Sequence, residues 1–289
     1  MEIPPRIGID VTVPLGDDPA TAALQAESVG FDVVTVHGDV LNGERTPREA
    51  WTTLTWVAAR TTTARLAPNV LVLPNRHPAV LAKMAETLDR LSGGRLVLAI
   101  GAGAAMNADA FAAFGLTVRA PGAAVDALEE AIDVMRGLWT TESVTYHGRH
   151  YKVEAAELRP RPQRPIPIWL GAYGPRMLDL VGRRADGWLP SMFLLPPEEA
   201  YRRMRRVRDA ATRAGRDPDA LTYGYNVSVL VDEEARSTPV RIAGGPAEVA
   251  RRLVELARGG FNFLNLWPAG DARRQRERLA AEVLPILRA

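Results

Sequence analysis

The chain contains no cysteine among its 289 residues, which excludes disulfides, thiolate nucleophiles and thiolate metal sites. Lysine is almost as rare, since only Lys83 and Lys152 are present and the other strongly basic residues are arginines. The 36 lysines and arginines nearly balance the 34 aspartates and glutamates, so the net charge is +2. A balance this close to neutral provides no general attraction to nucleic acid or to membranes.

Several other signals are missing from the sequence. No apolar run approaches the roughly 20 residues of a membrane-spanning helix, and the first residues, MEIPPRIGID, lack the basic and apolar regions of a secretory signal. No group of His, Asp and Glu has metal-ligand spacing, and neither a Gly-x-Ser-x-Gly elbow nor a basic–aromatic pattern is present. We therefore expect a cytoplasmic protein that crosses no membrane, holds no metal and binds no nucleic acid.

Strand-length apolar runs alternate with amphipathic stretches along the whole chain. The first run covers residues 7–11, and the pattern gives eight strand–helix units in all. Alternating units predict a parallel sheet, and eight units over about 250 residues predict a closed (β/α)8 TIM barrel in one domain spanning 1–289. The alternative is a doubly wound open sheet, which usually has fewer strands or a second domain. Residues 140–165 interrupt the pattern with a predicted hairpin that turns at His147 and Gly148.

Some element boundaries can also be predicted. Residues 46–60 predict a helix with Thr46 as N-cap and Pro47 in the first position. Residues 66–73 predict one uninterrupted strand, and residues 271–288 predict one final helix.

Candidate site residues follow from the barrel, because the active sites of such barrels lie at the carboxyl ends of the strands. The residues that come at or directly after predicted strands are His37, Gly38 and Asp39, residues 69–75, Gly101, Gly103 and Asn107, residues 173–176, Pro190, Ser191 and Trp267.

The corner at Tyr173, Gly174, Pro175 and Arg176 has two interpretations. Backbone N–H groups at a helix start, with the positive end of the helix dipole, can bind an anion. Gly174 permits close approach, Pro175 suits the first helical turn, and Arg176 offers a forked donor to a phosphate. The other interpretation is a plain chain reversal.

Other candidates have simpler structural explanations. His77 is interpreted as a helix cap, and His147 and His150 as solvated side chains beside the hairpin turn. The arginine-rich stretches 202–208 and 273–278 are interpreted as exposed helix faces.

Three stretches together resemble the bacterial luciferase-like oxidoreductase superfamily: HPAVLAKMAETLDRLSGGRLVLAIGAG, PIPIWLGAYGPRMLDLVGRRADGWLPS and GGPAEVARRLVELARGGFNFLNLWPAGD. The resemblance covers nearly the whole chain in order, including the hairpin. It is greatest to the branch that depends on the deazaflavin coenzyme F420, which includes methylenetetrahydromethanopterin reductases and glucose-6-phosphate dehydrogenases.

The resemblance implies roles for individual residues. Asp39 and His37 match the pair that the family places against the deazaflavin after the second strand. The bulge of the third strand, often a non-prolyl cis peptide behind the ring, falls at Asn69 and Val70. The residues matched to the remaining cofactor contacts are Gly101, Gly103 and Asn107 in the glycine loop and Tyr173, Gly174, Pro175 and Arg176 at the phosphate.

The sequence also departs from the sugar-phosphate dehydrogenases of that branch. Ala104 stands where they have a glutamate, Asp39 stands at their histidine position, and Asp10 and Thr12 provide no match for a glutamate after the first strand. These differences argue against a sugar-phosphate reaction and leave the proton donor open.

Three functions remain. The first is an F420-dependent oxidoreductase that transfers a hydride to or from a small organic substrate. The second is an FMN-dependent luciferase-like monooxygenase, and the third is a non-catalytic cofactor-binding protein. Dimerisation is common in the family, so we expect a homodimer.

Overall fold

The computed structural model describes residues 5–38, 48–103 and 108–289. Short strands, most of them ending in buried residues, make up its sheets. The strands are β1 (Arg6–Asp10), β2 (Val33–His37), β3 (Arg65–Asn69), β4 (Leu71–Val72), β5 (Leu98–Gly101), β6 (Val144–His147), β7 (Lys152–Ala156), β8 (Ile168–Leu170), β9 (Gly187–Trp188), β10 (Thr222–Val231), β11 (Ile242–Gly244) and β12 (Phe263–Pro268).

Ten of these strands form one parallel sheet in the order β3-β2-β1-β12-β10-β9-β8-β5-β4, with β11 added beside β10. The ring closes where the amide of Leu66 donates to the carbonyl of Arg95 at 3.0 Å and the amide of Val97 donates to Leu66 at 2.9 Å. Because β3 and β4 are two parts of one broken strand, the ring has eight strand positions. The predicted (β/α)8 barrel is confirmed.

Helices follow the strands around the outside of the barrel. They begin where the sequence has prolines and side-chain caps; for example, the Asp18 carboxylate accepts from the amides of Ala20 and Thr21 before α1. The helices are α1 (Pro19–Ser28), α2 (Ala50–Arg60), α3 (Pro78–Leu91), α4 (Ala108–Ala113), α5 (Pro121–Thr140), α6 (Pro175–Arg184), α7 (Pro197–Arg213), α8 (Pro246–Arg258), α9 (Ala272–Arg278) and α10 (Leu284–Arg288).

The predicted hairpin is confirmed as the antiparallel pair β6–β7, which lies outside the barrel sheet. Its turn is attached to α5 through one carboxylate. Glu130 accepts from the amides of Arg149, His150 and Tyr151 at 2.8–3.0 Å. The turn of the hairpin is therefore held against α5, outside the barrel sheet.

Strand alternation divides the core into two parts, because successive side chains point to opposite faces. The larger cluster packs between the strands and the helices, and the smaller one fills the barrel interior. In the smaller cluster, the rings of Trp169 and Phe263 lie 5.1 Å apart, with Val33, Ala67 and Val97 in the same cluster. The lower part of the barrel interior is apolar, so the buried polar side chains lie nearer to the carboxyl ends of the strands.

Several predicted boundaries were wrong. The third strand is interrupted by a cis peptide between Asn69 and Val70 instead of running from 66 to 73. Helix α2 begins at Ala50, capped by Glu49, and the predicted cap residues 46 and 47 lie outside the described residues. The predicted final helix is helical from Ala272 to Arg288, but it contains a π-helical segment at Leu279–Val283, which ends two residues before Pro285, a residue with no N–H for a helical hydrogen bond.

Candidate functional site

A cavity of about 690 Å³ opens at the carboxyl ends of the barrel strands. Another depression, of about 730 Å³, is walled by the loop after β1 and by α2 instead of by strand ends. The predicted chemistry belongs to the first cavity. The predicted site residues that line it are His37, Gly38, Asn69, Val70, Val72, Gly101, Gly103, Tyr173, Gly174, Pro175, Arg176, Ser191 and Trp267. Asp39 and Asn107, together with Ala104, lie outside the described residues.

Val70 forms part of the cavity wall, directly after the cis peptide bond. A Cβ atom on Gly38 would lie 2.0 Å from the Val70 carbonyl oxygen, which leaves room for glycine only. A Cβ on Gly171 would approach the Val70 side chain to 3.3 Å. Without side chains at these positions, the backbone packs closely against Val70, which lies in the cavity wall.

Below this wall, five buried polar side chains form a chain of hydrogen bonds through the barrel, which we call the polar ladder. Asn69 and Asn226 exchange two hydrogen bonds, at 2.7 and 3.1 Å. The Asn265 amide donates to Asn226 at 2.8 Å, and the Thr35 hydroxyl lies 3.2 Å from Asn265 and 3.3 Å from the Asp10 carboxylate. Each group at this depth finds a partner, as buried polar groups require.

His37 stands between the polar ladder and the cavity. Its backbone amide donates to the Thr12 hydroxyl at 2.8 Å, and the Thr12 amide donates to the Asp10 carboxylate at 3.0 Å. Its ring meets that of Trp267 edge-on, with centroids 5.5 Å apart. Burial raises the pKa of the Asp10 carboxyl above its ordinary 3.8, and the charge of His37 is the largest opposing influence. The backbone of His37 is thus connected through Thr12 to a buried acid.

Two helix N-termini meet at the cavity. Helix α6 starts at Pro175 and α5 at Pro121, and neither Gly174 nor Ala120 places a side chain over the first amides. Both prolines and Gly174 line the cavity. Uncapped amides at two positive helix ends form an environment suited to an anion.

Arginines flank both helix starts and line the same cavity. Arg176 pairs with Asp126 at 2.5 Å and donates to the Gly122 carbonyl at 3.4 Å. The Arg119 guanidinium lies 5.6 Å from the ring centre of Tyr151 in the hairpin. The hairpin thereby helps to position a cation at the cavity, a role that its sequence did not indicate.

Tyr173 connects two of the loops. Its hydroxyl accepts from the Ser191 amide at 3.1 Å, and its carbonyl accepts from Arg203 at 2.6 Å. Burial raises the pKa of the Tyr173 phenol, so the group is neutral at physiological pH. Tyr173 therefore acts here as a support for the loops around the cavity.

The sequence analysis missed several cavity residues, and Arg119 and Asn226 are the two polar ones among them. A signal existed for each. Arg119 comes two residues before Pro121, in a corner much like the one at Gly174 and Pro175. Asn226 is a polar residue at an inward position of β10, and every residue of that strand from Thr222 to Val227 is buried.

The remaining histidine predictions had different outcomes. The His77 ring accepts from the Ala79 amide at 3.3 Å as the cap of α3, so that prediction is confirmed. His147 is exposed and pairs with Glu154 at 2.7 Å. The prediction for His150 was wrong, because its Nε2 is buried and has no hydrogen-bond partner.

The predicted exposure of the arginine-rich face of α7 is confirmed at Arg202, Arg205 and Arg206, whereas Arg203 and Arg208 are partly buried. Arg203 pairs with Glu199 at 2.8 Å in addition to its bond with Tyr173, and Arg206 pairs with Asp179 at 2.7 Å.

Within the described residues, no group of three or more His, Cys, Asp or Glu side chains could hold a metal ion. None of the helices in the described part of the chain is long and apolar enough to cross a membrane.

Comparison with known proteins shows to which family the chain is similar. The family described as luciferase-like monooxygenase matches residues 17–238. An F420-dependent glucose-6-phosphate dehydrogenase of Kineococcus radiotolerans is 35% identical over 93% of this chain and 92% of its own length. A protein of the same name from Nakamurella multipartita is 32% identical over 74% of this chain, and the match spans only 64% of that relative.

The fold has close structural counterparts. An F420-dependent secondary alcohol dehydrogenase, solved with an F420–acetone adduct, superposes with a TM-score of 0.89 over 99% of this chain and 100% of its own. Its sequence identity is 20%, so this likeness concerns the fold. The chain belongs to the luciferase-like monooxygenase family.

Proposed function

We propose that this protein is an F420-dependent oxidoreductase that transfers a hydride between the deazaflavin and a small organic substrate. The observation that carries the proposal is the cavity itself, which combines Val70 and the glycines at one wall with two uncapped helix starts and two arginines. A cofactor with a flat ring and an anionic tail would fit this cavity, with the ring beside Val70 and the tail at the helix starts and the arginines. The relatives named as F420-dependent enzymes support this choice of cofactor.

Different residues would hold the ring and the phosphate of the cofactor. Val70 and the glycines around it would face the ring, and the amides at the start of α6 would hold the phosphate together with Arg176. When bound, the deazaflavin supplies a hydride donor or acceptor carbon. The chain fixes the ring against the substrate and excludes water from the reacting atoms.

A proton must move together with the hydride, and His37 is placed to handle it. The imidazole ring of His37 lines the cavity and packs edge-on against Trp267. Imidazole changes its protonation near neutral pH and is the side chain best suited to this task. Asp39 follows two residues later in the sequence and is the second candidate.

Cofactor binding is the first test. The purified protein is titrated with F420 and, separately, with FMN, while the fluorescence of each cofactor is followed. We expect saturable binding of F420 that is much tighter than that of FMN. Tight FMN binding without F420 binding would favour a flavin-dependent monooxygenase instead.

Turnover separates an enzyme from a binding protein. Oxidation of reduced F420 is followed anaerobically with a panel of carbonyl, imine and unsaturated compounds. We expect at least one class to be reduced. Tight F420 binding without turnover of any class would favour the non-catalytic alternative.

Three further expectations belong to this proposal. The chain would act in the cytoplasm, as a single domain over 1–289, and as a homodimer. Light scattering after size exclusion measures the mass directly against the 31.5 kDa of one chain. A mass of one chain at working concentration would exclude the dimer.

A further inference from the structure

The cations near the starts of α5 and α6 differ in whether they have carboxylate partners. Every arginine of α6, and every arginine of α7 except Arg205, pairs with a carboxylate, as Arg183 does with Glu129 at 2.8 Å. On the opposite side of α5, Arg119 lines the cavity and pairs with none of the carboxylates that the structure describes. An anionic chain that leaves the cavity therefore meets unpaired positive charge on the hairpin side.

The turn of the hairpin adds two more cations of this kind. Arg149 and Lys152 are exposed, and neither side chain has a carboxylate partner in the described part of the chain. The carboxylates beside the turn are already occupied, since Glu130 accepts three backbone amides and Glu154 pairs with His147 at 2.7 Å. The two cations are thus available to an anion from outside the protein.

Contacts with α5 and with Arg119 connect this turn to the cavity. The Arg119 guanidinium, at the cavity, lies 5.6 Å from the ring centre of Tyr151 in the turn. Glu130, which holds the turn, comes nine residues after Pro121 at the helix start, or about 14 Å along the helix axis. An extended peptide covers about 3.3–3.6 Å per residue, so a chain of about four residues spans that distance.

From these observations, and resting on the proposed function, we infer that the hairpin turn binds the carboxylate-rich tail of the deazaflavin coenzyme. In F420, the phosphate is followed by a lactate and then by a chain of glutamates. The chain leaves the phosphate at the helix starts, passes Arg119 and pairs its carboxylates with Arg149 and Lys152. FMN ends at its phosphate, so it gains nothing from this surface.

The energetics of such a subsite follow from its exposure. A single exposed ion pair contributes little by itself, about 0.2–1 kcal/mol, and salt screens it. The phosphate and the ring already hold the coenzyme, so the tail binds as an intramolecular step at a high effective concentration. The tail therefore increases the affinity moderately, and the increase depends on salt.

Coenzyme forms that differ only in the tail test this inference. The protein is titrated with F420 carrying about six glutamates, longer than the span to the turn, and with the phospholactate form that carries no glutamate. Cofactor fluorescence gives the Kd of each form. At low salt we expect the Kd of the long form to be about fivefold lower, as two exposed ion pairs allow. In about 1 M NaCl, where screening acts beyond about 3 Å, the difference should fall below about twofold. Equal Kd values of the two forms at low salt would overturn the inference.

Variants locate the tail on the surface. Arg149→Gln combined with Lys152→Gln removes both charges and keeps the backbone amide of residue 149 that Glu130 accepts. We expect the long form to lose its advantage in this variant, while the Kd of the form without glutamates stays unchanged. Arg205→Gln combined with Arg258→Gln removes two exposed arginines of α7 and α8 and is the matched control. Thermal melts verify that both variants are folded.

The outcomes separate this inference from the proposed function. If the advantage of the long form survives in the hairpin variant, or is lost in the control instead, the tail does not bind the hairpin. If the unaltered protein binds neither form, the proposed function itself is contradicted.

Discussion

The amide side chains of Asn69 and Asn226 bind each other across the inside of the barrel. Each donates to the other, at 2.7 and 3.1 Å, although the two residues belong to β3 and β10, which are not neighbours in the sheet. Asn69 is also the residue before the cis peptide of Val70. The pair therefore connects the floor of the cavity to the wall that would face the cofactor ring.

Replacing Asn226 tests the weight of this connection. Asn226→Leu leaves the buried amides of Asn69 and Asn265 without their partner, which should lower the free energy of unfolding by about 2–4 kcal/mol. Urea denaturation measures the change. Ser228→Ala, at the next inward position of β10, is the control and should cost less than about 0.5 kcal/mol. Equal effects of the two substitutions would show that the polar ladder has no special role.

A matched pair of glycines tests the shape of the wall. In Gly38→Ala, the new Cβ would lie 2.0 Å from the Val70 carbonyl oxygen, so backbone must move and stability should fall by about 2 kcal/mol or more. Gly174→Ala meets no atom within 4 Å and has an ordinary φ of −76°. We expect it to keep its stability. Thermal melts compare the two variants, and a tolerated Gly38→Ala contradicts the proposed wall.

Arg176 is expected to contribute charge to the phosphate site. Arg176→Gln should raise the Kd for F420 about fivefold to twentyfold at low salt, because a charge-assisted hydrogen bond is lost. The effect should shrink as salt is added, since Arg176 is well exposed. Arg205→Gln, exposed on α7, is the control. A Kd that does not change in the Arg176 variant would place the anion elsewhere.

The buried carboxyl of Asp10 predicts a pH effect on stability. Its folded-state pKa is raised above 3.8 by burial, so the contribution of Asp10 to stability is greatest below pH 3.8 and is lost as the pH rises through the folded pKa. Asp10→Asn should therefore gain stability relative to the unaltered protein between pH 4 and pH 8. Thermal melts across that range measure the difference. The exposed Asp209→Asn should show none.

Glu27 predicts the opposite dependence. Burial alone would raise its pKa, but hydrogen bonds from the amides of Ala64, Thr63 and Thr62 outweigh it and lower the pKa to about 2. Its stabilisation is complete above pH 4.5 and is lost as the pH falls from there to 2. Glu27→Gln should cost about 1–2 kcal/mol at pH 7, a figure reduced for solvent screening, and almost nothing near pH 2. Denaturant unfolding at both pH values, with the exposed Glu142→Gln as control, tests this.

The barrel and much of the cavity rim could be predicted from sequence pattern. Alternating strands and helices leave few ways to bury both faces of a parallel sheet, and glycines or prolines after strands mark the loops where the cavity lies. Resemblance to a known family added the position of the break in the third strand at Asn69 and Val70. These features depend on local pattern, which is why they could be predicted.

Contacts between residues far apart in the sequence could not be predicted in this way. Asn226 lies 157 positions from Asn69, and Arg119 joins Arg176 at the cavity although 57 positions separate them in the sequence. The inward alternation of a strand can be predicted from the sequence, but its partner across the barrel follows from strand tilt and from closure of the ring. Local sequence pattern does not show how the ring closes. The polar ladder and the position of Arg119 near Arg176 could therefore be seen only in the fold.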